Sequence, residues 1–143
     1  MRNNNFKIKV MEPHLSNLEK KYLFETFNNN QISVFGNMVE KVKNKIIKST
    51  NCQNITLTNS GSSALILALK SLDLDNNDII ITSNYTFIAT INSIIHAGLK
   101  PWIFDTETEN FSIDIDNLEK ILIKNTYKKK NFSYHKKTHQ RIS

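Results

Sequence analysis

Apolar positions recur along this chain at two periods, and each period predicts a different element. Ser16-Asn17-Leu18-Glu19 has the spacing of a capping box, and Leu18, Tyr22, Leu23 and Phe27 then fall on one face. A helix is predicted from about 16 to 28, ended by Asn28-Asn29-Asn30. A second amphipathic helix is predicted after Gly36, carrying Val39, Val42 and Ile46. Ser62 to Leu72 sets Leu65, Leu69 and Leu72 on one face, with Ala64 and Ala68 beside them. Thr86 to Ala97 repeats the pattern with Phe87, Ile91, Ile94 and Ile95, and Gly98 stands where a C-terminal cap belongs. Further on, Asp114 or Asp116 is placed to cap a short helix holding Leu118, Ile121 and Leu122.

Short apolar runs bounded by turn residues predict strands at Ile55–Thr58, Asp78–Ile81 and Trp102–Phe104. Strands and helices thus alternate as βαβαβ, and right-handed crossovers make such a sheet parallel with helices on its faces. The expected class is α/β: a three-layer, mostly parallel sheet preceded by two N-terminal helices. From Lys124 onward neither period persists. Residues 1–123 are read as the structured part, and 124–143 as a disordered or frameshifted tail, the shift falling near residues 126–128.

Composition narrows the class. Leucine, isoleucine and their like make up an ordinary share of the 143 residues, 39% with the aromatics and cysteine included. No run approaches the 18 or so apolar residues of a membrane span. The first residues lack the apolar centre of a secretory signal, and the single cysteine, Cys52, has no partner for a disulfide or a CxxC zinc site. A reducing, cytoplasmic setting is expected, without a membrane partner. The net charge of +6 is unevenly spread. Residues 124–143 carry seven Lys or Arg and no acid, while residues 1–123 hold the other twelve against all thirteen acids. The body is neutral, so no sequence-specific nucleic-acid role is expected. The tail alone could attract polyanions.

One segment invites chemistry. Ile55 to Leu65 reads strand, small-residue corner, helix, and a helix N-terminus offers unpaired N–H groups and partial positive charge to a phosphate. The small residues at 60–63 let an anion reach the backbone, and the hydroxyls of Ser62 and Ser63 add donors. An ordinary capping turn fits the same residues. The corner lacks the lysine of a P-loop and the later glycines of a dinucleotide fingerprint, which disfavours ATP and NAD. Phe87, beyond the second strand, fits either a ring that stacks on a flat ligand or a core residue. Asp105 ends the third strand and reads equally as a functional acid or a loop cap. His14 and His96 find no partners that make a site, and His135-x-x-x-His139 lacks a nearby acid, so no metal is expected.

Four ordered blocks together carry a resemblance: Ser-Gly-Ser-Ser-Ala-Leu from Ser60, Asp-Ile-Ile-Ile-Thr-Ser-Asn-Tyr-Thr-Phe-Ile-Ala-Thr from Asp78, Ala-Gly-Leu-Lys-Pro-Trp-Ile-Phe-Asp from Ala97, and Phe-Ser-Ile-Asp-Ile-Asp-Asn-Leu-Glu from Phe111. In order and spacing they resemble the DegT/DnrJ/StrS family of nucleotide-sugar aminotransferases, fold-type I enzymes dependent on pyridoxal 5'-phosphate (PLP). The resemblance covers about residues 10–123. It implies that Ser62 and Ser63 hold the cofactor phosphate and that Phe87 stacks on its ring. The loop Asn30–Gly36 looks like the family's substrate-side loop, which would put Ile32 and Ser33 beside the sugar. Gln31 stands there in place of a tryptophan, Val42-Lys43 replaces the usual Phe-Glu, and Ser83 replaces a proline.

By the same resemblance the substrates are a keto-sugar carried on a nucleotide and an amino-acid donor, glutamate by expectation, in a pathway such as polysaccharide biosynthesis, and the full-length enzymes are homodimers. The family's Schiff-base lysine and ring-nitrogen aspartate come well downstream, and no lysine among these residues matches that role. The chain is therefore expected to be a truncated, inactive N-terminal fragment of the large domain, one that folds poorly alone. A non-catalytic, polyanion-binding fragment, or a small phosphate-binding α/β domain, is the rival reading.

Overall fold

The computed structural model describes residues 11–33 and 36–143, and these fall into two compact units that divide between Leu57 and Thr58. In the first unit, α1 (Asn17–Asn28) begins with the capping box that its sequence announces. The Ser16 hydroxyl accepts the Leu18 N–H at 3.1 Å, and the Ser16 N–H donates to the Glu19 carboxylate at 2.6 Å. The Ser16 hydroxyl donates to that carboxylate as well. Those bonds, the hydroxyl's foremost, hold the Glu19 carboxyl below its ordinary value. α2 (Asn37–Thr50) starts at Gly36 and stops at Asn51, which takes the left-handed conformation. Gly36 is buried, and a Cβ there would lie 3.3 Å from the Gln31 carbonyl, a tight contact that glycine avoids. An exposed Lys41–Glu25 ion pair at 2.7 Å spans the two helices. The apolar stripe of α1 is not covered: Leu23 and Phe27 are exposed.

The second unit is built on β1 (Ile79–Ser83) and β2 (Lys100–Phe104), parallel neighbours paired along all five residues. Between them runs α4 (Ile88–His96), and ahead of them α3 (Gly61–Ser71). Leu69, Leu74 and Ile80 pack on Ile94, Ala97 and Leu99, so the two helices and the sheet share one small core. The end of α4 explains the glycine at 98. Gly98 N–H bonds the Ile95 carbonyl and Leu99 N–H bonds that of Ile94, a Schellman closure that needs the left-handed φ of +87° at Gly98. Leu99 then meets Ile94 in the core, the apolar contact that accompanies this motif. α5 (Ile115–Asn125) is capped by Asp114, whose side chain accepts from Asn117 N–H.

Two expectations are corrected. Ile55–Thr58 is not a strand: alternating Ile and Leu favour extended backbone, but it has no ladder partner among the described residues, and pairing is what makes a strand. Residues 124–143 are not without regular structure. They form β3 (Thr126–Lys129), β4 (Phe132–His135) and β5 (Arg141–Ile142), giving the order β2-β1-β5-β4-β3. The sheet is therefore mixed, antiparallel through β3, β4 and β5, within the α/β class expected. β5 meets β1 only at Ile79↔Ile142.

The tail is fastened by a buried ion pair. Asp78 is 3% exposed and receives Arg141 Nε at 2.7 Å and, more closely, Arg141 Nη2. Arg141 also reaches the Asp73 carbonyl at 3.0 Å and lies 4.9 Å over the Phe132 ring. Ser143 Oγ donates to the same carboxylate at 3.2 Å. The Asp78 carboxylate, chiefly by hydrogen bonding, raises the guanidinium's proton affinity above its ordinary value.

Candidate functional site

The corner at 58–63 is a well-made helix start. Ser60 is the N-cap of α3, and its side chain accepts the Ser63 N–H at 3.1 Å. Thr58 Oγ1 donates to the Ser60 carbonyl at 2.8 Å, fixing the entry to the corner. Ser63 Oγ donates to Asn59 Oδ1 at 2.9 Å. The structure thereby separates the two serines singled out by sequence. Ser63 is engaged by the cap through both its amide and its hydroxyl, whereas the Ser62 hydroxyl and the amides of Gly61 and Ser62 have no acceptor among the described residues. A Cβ built on Gly61 meets nothing within 4 Å, so the backbone there can be approached from solvent. Two amides and a hydroxyl at the positive end of an eleven-residue helix make a donor set that fits a phosphoryl group.

The orientation of the helices bears on a second feature. Ser93, 1% exposed, donates from Oγ to the Ser62 carbonyl at 3.3 Å, and Lys70 Nζ donates to the Ala97 carbonyl at 3.3 Å. α3 and α4 thus advance in the same sense, the start of α3 lying beside Ser93 in the second half of α4, while α4 itself begins after the carboxyl end of β1. In open α/β sheets ligands lie beyond that carboxyl end. Phe87, the N-cap residue of α4, is 75% exposed. Phe87 is thus not part of this chain's own core, and its ring is open at the start of α4.

The segment leading to that ring is held by side chains that sequence reasoning passed over. Asn84 Nδ2 donates to Asp105 Oδ1 at 2.9 Å, while the Asn84 N–H donates to the Phe104 carbonyl at 2.8 Å. Ser83 Oγ accepts the Tyr85 N–H at 3.0 Å, and the Tyr85 and Phe111 rings lie 4.8 Å apart. Thr86 and Thr90 hydroxyls meet at 2.9 Å. Asp105 at the close of the third predicted strand was the one visible signal of this arrangement.

The remaining candidates fall elsewhere. Ile32 and Ser33 belong to the first unit, both exposed, Ile32 beside an apolar hollow of about 300 Å³ that Leu23, Phe24 and Phe27 also line. His135 packs edge-on against Trp102 at 5.0 Å, and His139 Nδ1 meets the Tyr127 hydroxyl at 3.1 Å, so each imidazole serves the packing of the hairpin. His96 sits in the last turn of α4, exposed. No grouping of three or more His, Cys, Asp or Glu suited to a metal occurs among the described residues.

Comparison with known proteins gives this geometry a context. The family model described as the DegT/DnrJ/EryC1/StrS aminotransferase family matches residues 13–131. The GDP-perosamine synthase of Escherichia coli O157:H7 is 31% identical over 119 residues, 83% of this chain and 33% of that protein. A dTDP-4-amino-4,6-dideoxy-D-glucose transaminase of Escherichia coli is 30% identical over 83% of this chain and 32% of its own length. Among solved structures, the Escherichia coli GDP-4-keto-6-deoxy-D-mannose-3-dehydratase with bound hydrated PLP superimposes with a TM-score of 0.68 at 21% identity, covering 76% of this chain and 29% of that one. An aromatic aminotransferase from Pyrococcus horikoshii OT3 does so at 0.55 and 20%, over 73% and 31%. The chain spans about a third of the length of the curated relatives it matches. With the family model matched across more than four-fifths of its residues, this chain belongs to the DegT/DnrJ/EryC1/StrS aminotransferase family.

Proposed function

We propose that this chain forms the cofactor-phosphate corner of a PLP-dependent aminotransferase that acts on nucleotide-linked keto-sugars, with glutamate as amino donor, in the cytoplasm. The observation that carries the reading is the pair of open amides at Gly61 and Ser62 at the start of α3, and the exposed ring of Phe87 at the start of α4 supports it. In this reading the Gly61 and Ser62 amides and the Ser62 hydroxyl hold the phosphate, Ser63 keeps the corner in shape, and Phe87 lies over the heterocycle. PLP supplies an electron sink through which an amino group passes from donor to acceptor. Ile32 and Ser33 contact the sugar. The relatives' use of GDP- and dTDP-linked sugars supports the substrate class. The residues that bond the cofactor and keep its ring protonated lie outside these 143, and the chain alone holds PLP without transferring amino groups; in the complete enzyme it works in a homodimer.

A titration of the 143-residue chain with PLP, followed by absorbance and set against pyridoxal, tests the phosphate corner directly. PLP is expected to bind more tightly than pyridoxal and to be displaced by inorganic phosphate. Gly61→Pro is a sharp variant. Position 61 is the first of the helix, where proline's φ is suitable and its ring has open space, and Ser60 already has the extended backbone that must precede proline. It deletes one donor without breaking α3 and is expected to weaken PLP about fivefold, the worth of one hydrogen bond. Equal affinity for PLP and pyridoxal would end the reading. Borohydride reduction followed by mass spectrometry checks the inactivity: a stable adduct on one specific lysine would overturn it.

A second reading has an observation of its own. The seven basic residues of 124–143 sit on or beside a hairpin in which Tyr127 and Tyr134 stack at 5.7 Å, a surface suited to polyanions. Salt-sensitive binding of heparin, undisturbed by Gly61→Pro, would favour it.

A further inference from the structure

The reading above gives Phe87 a task, and the structure assigns the task of aiming it to two residues outside the corner. We propose that Asn84 and Asp105 form a positioning clamp for the Phe87 segment. The inference rests on the proposed cofactor role of Phe87 for its functional meaning, though not for its geometry.

The argument begins with the chain leaving β1. After Ser83 the backbone must turn from the sheet into α4 within four residues, and Phe87 is the last of them. α4 has no side-chain cap, since phenylalanine at the N-cap position offers no acceptor. Nothing in the first turn of that helix therefore fixes the ring's backbone except Thr90 N–H on the Phe87 carbonyl at 2.9 Å and the Thr86–Thr90 hydroxyl pair. The remaining restraint comes from the neighbouring strand. Asn84 bonds β2 twice, its N–H to the Phe104 carbonyl at 2.8 Å and its carboxamide to the Asp105 carboxylate at 2.9 Å. Asp105 is held in turn, because its own carbonyl accepts the Asp114 N–H at 3.2 Å and Asp114 caps α5. The start of the turn is thus tied to two elements at once.

Every other side chain of the turn has a partner as well. Ser83 engages Tyr85, Tyr85 packs on Phe111 while staying largely exposed, and Thr86 meets Thr90, whereas the exposed Phe87 ring has no such partner among the described residues. A flexible aromatic would lose rotamer and backbone freedom on stacking with a ligand. One presented from a fixed turn has already lost it, which is the advantage of preorganisation. Asn84 and Asp105 touch no ligand in this scheme. They act through Phe87.

The test uses Asn84→Ala, Asp105→Ala, the double variant and Asp105→Asn, whose carboxamide oxygen can still accept from Asn84. Amide hydrogen exchange is followed at Tyr85 to Thr90, with the Ile94 and Leu99 amides of the core as internal controls, and PLP affinity is measured in parallel. Each single alanine is expected to speed exchange in the 85–90 segment and to weaken PLP by about fivefold, with the core amides unchanged. The double variant should match the singles, since both remove one bond, and Asp105→Asn should restore most of the effect. Unchanged exchange in Asp105→Ala, or additive effects in the double, would overturn the clamp. Should the wild-type chain fail to bind PLP while exchange responds as described, the clamp stands and the cofactor reading falls.

Discussion

At the scale of single residues, the most legible signals were those whose physics is local. Ser16 and Glu19 announce a helix start because the bonds of a capping box join residues three apart, and the structure forms those bonds. Gly98 announces a helix end for the same reason. Phe87 was not decidable from sequence, since a helical stripe does not say which of its members the sheet will cover; in this chain its ring is exposed. The capping box also carries a pH dependence. Glu19 has its proton affinity lowered in the folded chain by the Ser16 hydroxyl and by backbone amides. Folding is therefore favoured by this group above the ordinary glutamate value, and that contribution fades as pH falls through the depressed one. α1 is expected to fray in acid before the second unit does, as seen in the Leu18 and Glu19 amide resonances. Ser16→Ala should bring the fraying to neutral pH at a cost of about 1 kcal/mol to the helix. An acid transition of α1 that coincides with that of β1 would contradict this.

At the scale of elements, helices and the β1–β2 pair were read nearly to the residue, while two strand assignments were not. The reason is separation along the chain. Whether Ile55–Thr58 becomes a strand depends on a neighbour, and sequence periodicity records only the willingness to be one. The tail shows the opposite case. Its lysines and asparagines have no period, yet Tyr127 faces Tyr134 across a tight hairpin, and Arg141 finds Asp78 sixty-three residues away. No local rule contains that pairing. Arg141 is expected to be the fastening of the whole β3–β5 hairpin, because its loss would strand a buried carboxylate. Arg141→Ala should speed amide exchange across 126–142 at least about tenfold and expose Lys128–Lys130 to trypsin. Arg141→Lys should fall between, since an ammonium cannot match the fork of a guanidinium. Trypsin resistance equal to wild type in Arg141→Ala would show the hairpin to be held by its aromatic contacts instead.

At the scale of the molecule, the four sequence blocks were enough to find the family, whereas the quality of the core was not visible in them. Among the described residues only Ile79, Ile94, Ala97, Leu99 and Phe104 are buried apolar side chains. Leu23, Phe27, Leu67, Leu72, Ile95 and Ile123 are exposed, though each lies in or beside a helix whose pattern promises a covered face. Net stability is a small remainder of large terms, and five buried side chains leave little to offset the entropy of ordering more than a hundred residues. The 143-residue chain is expected to melt broadly, to bind hydrophobic dyes and to show fast exchange outside the sheet, the 84–87 turn and α4. A sharp, cooperative calorimetric transition with slow exchange throughout would refute this. A helix corner such as 60–63 is made by four consecutive residues and is legible locally, while a core needs the whole sheet.

β5 touches β1 at a single residue pair, whereas β2 follows it for five. Alternate residues of a parallel strand direct their amide and carbonyl to opposite sides, and Asn84 turns toward β2, so Ile81 and Ser83 direct theirs to the other flank. That flank is half zipped. Ile81 is partly buried, and neither it nor Ser83 has a ladder partner on that flank among the described residues. Along the very strand that leads to Phe87, one side is therefore paired in full and the other at a single residue, which leaves β1 open to backbone pairing from its second flank.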